Sequence, residues 1–150
     1  MKTAILYTRS DKSNRYSKME LAEQLKFLRL YCEKNQIQIV SHFEDCFSGE
    51  DFDRPGWNSL STYLKKARRG KVNFILFTRW DRFTQNVAYT FDIINRLKKR
   101  KIHVKAIFQP IDLPLPVPER NYLLATFIAH ATVERELKLI LENYNQLHVQ

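Results

Sequence analysis

The chain has 150 residues, of which 44% are hydrophobic and 13% aromatic, and this composition predicts one globular domain rather than a disordered segment. It carries 25 basic and 16 acidic residues, and the net charge of +9 favours a polyanion such as nucleic acid as a partner, with solubility alone as the alternative. The sequence has no apolar run of about 18 residues, no signal segment ahead of the first strand and only two cysteines. We therefore expect a cytoplasmic protein that does not enter a membrane.

Strands and helices are predicted to alternate over the first 108 residues. Ser17 is the expected cap of the first helix, because Glu20 follows it at capping-box spacing. The predicted helices cover residues 17–34, 57–67 and 87–97. The predicted strands cover residues 4–7, 37–43, 72–77 and 102–108. This order predicts an α/β fold with three layers and a mostly parallel sheet of four to five strands.

The last part of the chain is predicted to be one long helix. Four prolines between residues 110 and 118 require an extended connection, and residues 119–150 then carry a helical apolar stripe. Thirty-two helical residues would span about 48 Å, whereas a compact domain of this size measures only about 38 Å. We expect a domain over residues 1–118 and a dimerisation helix over 119–150, with no separate DNA-binding domain. The alternative is a kinked helix that folds back on its own domain.

Three polar loops follow predicted parallel strands and should meet at the carboxyl edge of the sheet. The first contains Arg9, Ser10 and Asp11, the second contains Ser48 and Arg54, and the third spans residues 79–82. Several arginines around one point suit a phosphoryl group, whose negative charge is spread over its oxygens. The histidines lack zinc-ligand spacing and no glycine-rich phosphate loop occurs, so we expect no metal and no cofactor.

The same loops resemble those of the serine recombinases, the resolvase/invertase family, over nearly the whole chain. Tyr7-Thr8-Arg9 matches the first family motif, and Ser48-Gly49 followed by Asp53-Arg54-Pro55-Gly56 matches the second. The third motif is matched in part by residues 80–85, and Ala131-Thr132-Val133-Glu134-Arg135 resembles the opening of the family's long helix. Any single motif would be weak, but the ordered set is specific.

The resemblance implies strand exchange of DNA without a metal, in which a serine attacks the scissile phosphate and dimers pair into a tetramer through the long helix. It further implies a catalytic set and a set of residues that contact DNA or support the pocket. The implied catalytic residues are Ser10, Arg9, Arg54, Asp81 and Arg82. The implied DNA-binding and supporting residues are Gln24, Ser48, Gln85 and Arg135.

Two positions depart from the family pattern. The family's nucleophile stands two residues after the motif arginine, where this chain has Asp11, and Ser10 stands one residue early. Because side chains alternate along a strand, we expect Asp11 to face the arginines and Ser10 to face away. The second departure is Gln85, where the family has another phosphate-binding arginine. These changes favour a recombinase fold that binds DNA or dimerises but no longer cleaves.

Other interpretations stay open. Ser10 could serve as the nucleophile if a bulge shifted the backbone, which would make the chain an active recombinase. Alternatively, Asp11 and Asp81 could hold a metal ion for phosphoryl transfer, although arginines disfavour a cation there. The basic stretches at residues 65–71 and 96–101 could touch phosphates, or they could be solvated helix ends whose lysines offset the helix dipoles.

Overall fold

A computed structural model describes residues 1–11, 15–47, 52–111 and 117–148, without the side chains of residues 131, 132, 135 and 148. Within this part of the chain four strands form one sheet in the order β2-β1-β3-β4, and all three pairings are parallel. The strands are β1 (Thr3–Ser10), β2 (Gln38–Cys46), β3 (Phe74–Phe77) and β4 (His103–Ala106). The α/β fold with a parallel sheet is thereby confirmed.

Five helices complete the described chain. They are α1 (Ser17–Lys34), α2 (Pro55–Lys66), α3 (Trp80–Phe83), α4 (Val87–Lys99) and α5 (Val117–His148). The four-residue helix α3 is a correction, because residues 79–82 were expected to form a loop. Its two apolar ends, Trp80 and Phe83, are both buried in the main core, and this burial stabilises a single turn that has little helical length of its own.

The alternation of β1 divides the core into two layers. Ile5 and Tyr7 pack on the face that carries helices α2, α4 and α5, whereas Ala4 and Leu6 pack against α1 on the opposite face. Every residue of β1 from Ala4 to Ser10 is buried, so the central strand continues three residues beyond the predicted end at Tyr7. The sheet therefore has helices on both sides, and β1 delivers Arg9 and Ser10 directly to its carboxyl edge.

The start of α1 differs from the prediction. Tyr16 is the N-cap residue, its carbonyl accepts a hydrogen bond from the Glu20 amide at 3.0 Å, and Ser17 is already the first helical residue. Ser17 is therefore not the cap. The carboxylate of Glu20 contacts Arg82 at 2.6 Å instead of completing a capping box, because an ion pair with a largely buried guanidinium competes for it.

Helix α5 is continuous over its 32 residues, but the burial of its apolar side chains differs between its two halves. Leu124 and Ile128, in its first half, are buried in the same core cluster as the sheet. In the second half large apolar side chains are exposed, among them Leu137 and Ile140. A continuous helix thus extends beyond the core, and its exposed second half is not folded back on its own domain as the alternative prediction required. None of the helices in the described residues is both long and apolar enough to cross a membrane.

Candidate active site

Arg9 is the centre of the site at the carboxyl edge of the sheet. Its side chain is fully buried, and its guanidinium donates hydrogen bonds to the backbone carbonyls of Phe47, Asp81 and Arg82. It also contacts the Asp11 carboxylate at 2.7 Å. Burial lowers the pKa of Arg9, and the hydrogen bond and charge of Asp11 oppose that shift. Arg9 thus joins Phe47, which follows β2, and helix α3 to the end of β1, and one of its nitrogens is already engaged by an acid.

The Asp11 carboxylate faces the arginines. Its Oδ1 atom accepts hydrogen bonds from Arg9 Nη1 at 2.7 Å and from Gln85 Nε2 at 3.2 Å, and its Oδ2 atom lies 3.8 Å from Arg82 Nη2. The side chain is 37% exposed, so solvent reaches it while it contacts the guanidiniums. The predicted direction of Asp11 is confirmed, and its negative charge lies between the guanidiniums of Arg9 and Arg82.

Ser10 lies on the other face of β1. It is 1% exposed, and its Oγ atom is buried without a hydrogen-bond partner among the described residues. A register shift does occur between β1 and β2, but the extra residue is Val40 of β2, since Ala4 pairs with Ile39 and Ile5 with Ser41. The alternation of β1 is therefore not displaced, and the bulge does not turn the Ser10 hydroxyl towards the guanidiniums.

Arg82 sits in α3 among three carboxylates. Its Nη1 contacts Glu20 at 2.6 Å, its Nη2 contacts Asp81 at 3.0 Å, and Asp11 is the third acid. Burial alone would lower the pKa of Arg82, but the charges of Asp81, Asp11 and Glu20 outweigh it and raise that pKa. Arg79, expected at the same edge, is about half exposed and lies 3.6 Å from Asp81. The positive charge of the pocket is thus largely balanced by the protein's own acids.

Arg54 reaches the site through an aromatic cluster. It is buried, its Nη2 donates to the Phe83 carbonyl at 3.0 Å, and its guanidinium carbon lies 4.6 Å from the Phe52 ring centre and 5.4 Å from that of Tyr7. Ring faces carry partial negative charge and stabilise a cation that has left water. The structure therefore brings Arg54 to the same edge as Arg9 and Arg82, with aromatic rings against its guanidinium.

Asp45 positions Arg54, although no motif pointed to it. The Asp45 carboxylate accepts hydrogen bonds from the amides of Gly56 at 2.7 Å and Trp57 at 2.9 Å and from the Tyr7 hydroxyl at 2.6 Å. It thereby satisfies the amino end of α2, just after the N-cap residue Arg54. A Cβ atom on Gly56 would lie 2.2 Å from the Glu44 carbonyl oxygen, so only glycine permits this approach. The Pro55-Gly56 pair marks the start of α2 in the sequence, but it gives no sign of the distant Asp45 carboxylate.

Gln24 holds the backbone of Arg9. Its Oε1 accepts from the Arg9 amide at 3.1 Å and its Nε2 donates to the Arg9 carbonyl at 2.9 Å, so the buried side chain pairs with the backbone of β1 at Arg9. Both amide atoms are engaged by the backbone, so Gln24 supports the strand end that carries Arg9.

Comparison with known proteins identifies the fold family. The family model described as the N-terminal domain of resolvase matches residues 4–145. The chain belongs to this family. A search of curated proteins gives no match.

Solved structures similar to this resolvase-family domain include recombinases and an integrase domain. A resolvase family site-specific recombinase from Streptococcus pneumoniae is similar over 100% of both chains, with 19% identity and a TM-score of 0.68. The N-terminal catalytic domain of TP901-1 integrase is similar over 91% of this chain and 98% of its own, with 24% identity and a TM-score of 0.66. The C-terminal catalytic domain of ISC1926 TnpA, an IS607-like serine recombinase, is similar over 71% and 70%, with 24% identity and a TM-score of 0.62.

The outcome for the remaining predicted residues follows from this geometry. Gln85 lies beside Asp11, at the position where the family pattern has an arginine. Ser48 falls outside the described residues, and so does the side chain of Arg135, whose backbone is part of α5. The structure thus brings together Arg9, Arg54 and Arg82 with Asp81, and it leaves Ser10 out.

The two acids proposed as metal ligands share a guanidinium. Arg82 Nη2 lies 3.0 Å from Asp81 Oδ2 and 3.8 Å from Asp11 Oδ2, so a fixed cation already stands between the carboxylates. No cluster of three or more potential metal-ligating side chains occurs in the ranges that the structure describes. A divalent ion at this point would meet the positive charge of Arg82, and the residues present do not fit a metal site.

Proposed function

We propose that this serine-recombinase domain binds DNA and pairs with a second copy of itself, but does not cut DNA strands. The observation that carries the proposal is the Asp11 carboxylate against Arg9 and Arg82, at the position of the family's nucleophile. A serine there would place a hydroxyl beside the guanidiniums. The carboxylate instead brings a negative charge to the place where the scissile phosphate has to lie.

An aspartate in place of the family's serine has a substantial energetic cost for cleavage. A carboxylate about 4 Å from a phosphate charge adds repulsion of about 1 to 4 kcal/mol, depending on the local dielectric constant. Gln85 supplies a hydrogen bond but no positive charge, and the loss of one transition-state donor typically costs about 3 kcal/mol. Both changes disfavour cleavage, and the loss of the attacking hydroxyl removes the covalent step itself.

Ser10 is a poor substitute for that hydroxyl. Its Oγ is buried on the α1 side of β1, while Arg9 and Asp11 occupy the other side. A nucleophile has to reach the phosphorus atom while the arginines bind the phosphate oxygens. Ser10 could do so only if the end of β1 turned over, and this movement would break both hydrogen bonds between Gln24 and the Arg9 backbone.

DNA and a second copy are the partners that the remaining features support. The net charge of +9 favours a polyanion, and the family acts on DNA. The exposed half of α5 presents apolar side chains at alternating spacings of four and three residues, a heptad pattern that packs helix against helix. They are Val133, Leu137, Ile140, Tyr144 and Leu147.

We place the protein in the cytoplasm, where reducing conditions would keep Cys32 and Cys46 as thiols.

Covalent trapping tests the loss of cleavage. The wild type and the Ser10→Ala variant are incubated with a fragment library of the source genome, denatured and separated on a gel that retains protein–DNA adducts. We expect no adduct from either protein, while native gels show bound DNA for both. An adduct formed by the wild type and lost in Ser10→Ala would overturn the proposal in favour of an active recombinase.

Sedimentation tests the dimer. Ile140→Glu places a charge within the exposed heptad stripe, whereas Leu139→Glu makes the same change at a similarly exposed position outside the stripe. We expect a dimer for the wild type and for Leu139→Glu and a monomer for Ile140→Glu. Equal behaviour of the two variants would contradict a second copy on this stripe.

A further inference from the structure

A second charged surface lies at the opposite edge of the sheet from the active site. In a parallel α/β fold the helices run back against the strands, so the carboxyl ends of α2 and α4 lie at the amino edge, ahead of β3 and β4. A basic segment covers each helix end and the residues that follow it, at residues 65–71 and 96–101, and we call these two segments the basic turns. About seven extended residues separate Lys71 from Thr78 at the site edge, a distance of about 23 Å.

The two basic turns form one surface. Arg69 Nη2 donates to the Lys99 carbonyl at 3.2 Å, and Arg100 Nη2 donates to the Leu64 carbonyl, so each turn is tied to the helix end of the other. We call the ten cations of these turns the amino-edge surface. They are Lys65, Lys66, Arg68, Arg69, Lys71, Arg96, Lys98, Lys99, Arg100 and Lys101.

The ten positive charges exceed what ion pairs and helix dipoles of the fold can balance. No acid occurs in either segment, and among the described residues the only ion pair of the ten joins Arg96 to Asp92 at 2.8 Å. Two helix carboxyl ends carry together about one negative charge, since each macrodipole is equivalent to about half an elementary charge. Ten cations are far more than is needed to offset the dipoles of these two helices. Apart from the half-buried Arg100 these ten side chains are exposed. The hydrogen bonds of Arg69 and Arg100 to backbone carbonyls hold the two segments together.

We propose that the amino-edge surface binds the phosphate backbone of duplex DNA, independently of sequence and of the arginine pocket. Clustered and exposed lysines and arginines gain affinity by releasing counterions from DNA, and no base contact is required. No large apolar side chain is exposed within the two segments, although a membrane-binding surface would need such anchors. Taken together with the proposed function, which puts DNA at the carboxyl edge, this surface gives one copy of the chain two DNA-binding edges on opposite sides of the sheet.

Matched charge removal tests this surface. The variant Lys66→Gln/Arg68→Gln/Lys99→Gln removes three exposed cations of the amino edge. The control Lys26→Gln/Arg29→Gln/Lys34→Gln removes two lysines and one arginine from the exposed face of α1, so both proteins have a net charge of +6 instead of +9. Binding of a fluorescent 30-base-pair duplex of arbitrary sequence is measured by anisotropy at several salt concentrations, and thermal melting verifies that both variants fold.

We expect the amino-edge variant to bind at least about tenfold more weakly at 0.1 M salt, with a salt slope smaller by about three, because each phosphate contact contributes about one unit. The control should stay within about twofold of the wild type. Equal losses in both variants would show that net charge alone governs binding and would overturn the proposal, as would wild-type affinity of the amino-edge variant. In a second experiment, binding of the same variants to vesicles of phosphatidylserine and phosphatidylcholine is measured. If the amino-edge variant loses vesicle binding without losing DNA binding, the proposal is also overturned.

Discussion

Asp11→Asn separates the charge of the acid from its shape. Asparagine can still accept a hydrogen bond from Arg9, which Asp11 now contacts at 2.7 Å, but it removes the negative charge from the pocket. A phosphate held by Arg9 and Arg82 would lie about 4 Å from this side chain, where repulsion amounts to about 1 to 4 kcal/mol. Because Asp11 is 37% exposed, solvent screening favours the lower half of that range. We therefore expect DNA to bind about 5- to 30-fold more tightly, which corresponds to about 1 to 2 kcal/mol.

The same change should weaken the fold. Arg9 is fully buried and would exchange a charged acceptor for a neutral one, and a hydrogen bond to a charged group contributes about 1.5 to 3 kcal/mol. Since asparagine retains part of the bond and Asp11 is partly solvated, we expect a loss of about 1 kcal/mol in the free energy of unfolding.

Anisotropy with duplex DNA and urea denaturation measure the two effects. Glu33→Gln, an exposed acid on α1, serves as the control for net charge. Tighter DNA binding together with lower stability is the expected pair of results for Asp11→Asn. Unchanged or weaker DNA binding, or an equal gain in the control, would refute the idea that the Asp11 carboxylate repels a phosphate in this pocket.

Three further substitutions test how individual contacts contribute to the stability of the fold. Gly56→Ala should lower the free energy of unfolding by about 3 kcal/mol or more in urea denaturation, because the new Cβ would collide with backbone and displace the Asp45 carboxylate. Gln24→Ala should lower the melting temperature, with a cost of about 2 to 3 kcal/mol, since it leaves two buried backbone groups of Arg9 without partners. Burial lowers the pKa of His42 in the folded state, so the unfolded chain binds the proton first and stability should fall as the pH drops from 7 to 5. Stability curves of wild type and His42→Gln at both pH values measure this effect, and the variant should lose less stability on acidification.

The direction of the key side chains could be predicted from sequence because it depends on a short-range rule. Along β1 the side chains alternate, so once Arg9 is assigned to the site, Asp11 must join it and Ser10 must oppose it. Only a bulge in β1 could have changed that outcome. The bulge lies in β2 at Val40, where its effect on the site is small.

Other features of the site depend on distant contacts and were not predictable. The Asp45 carboxylate contacts the start of α2 eleven residues later in the chain, and nothing in the local pattern links the two. Helix α3 forms because Trp80 and Phe83 are buried in the core, which a four-residue segment cannot reveal. The expected cap at Ser17 failed for a related reason, because Glu20 is engaged by Arg82, which is 62 residues away in sequence.

The most direct test locates any covalent DNA linkage by mass spectrometry of peptides that contain residues 9–11. The wild type and the double variant Asp11→Ser/Gln85→Arg, which places a hydroxyl and a guanidinium beside Arg9, are both trapped with the same genomic library. We expect a nucleotide-linked serine at position 11 in the double variant and no linkage in the wild type. A wild-type linkage at Ser10, with an inert double variant, would contradict the conclusion that Asp11 stands where the attacking hydroxyl belongs.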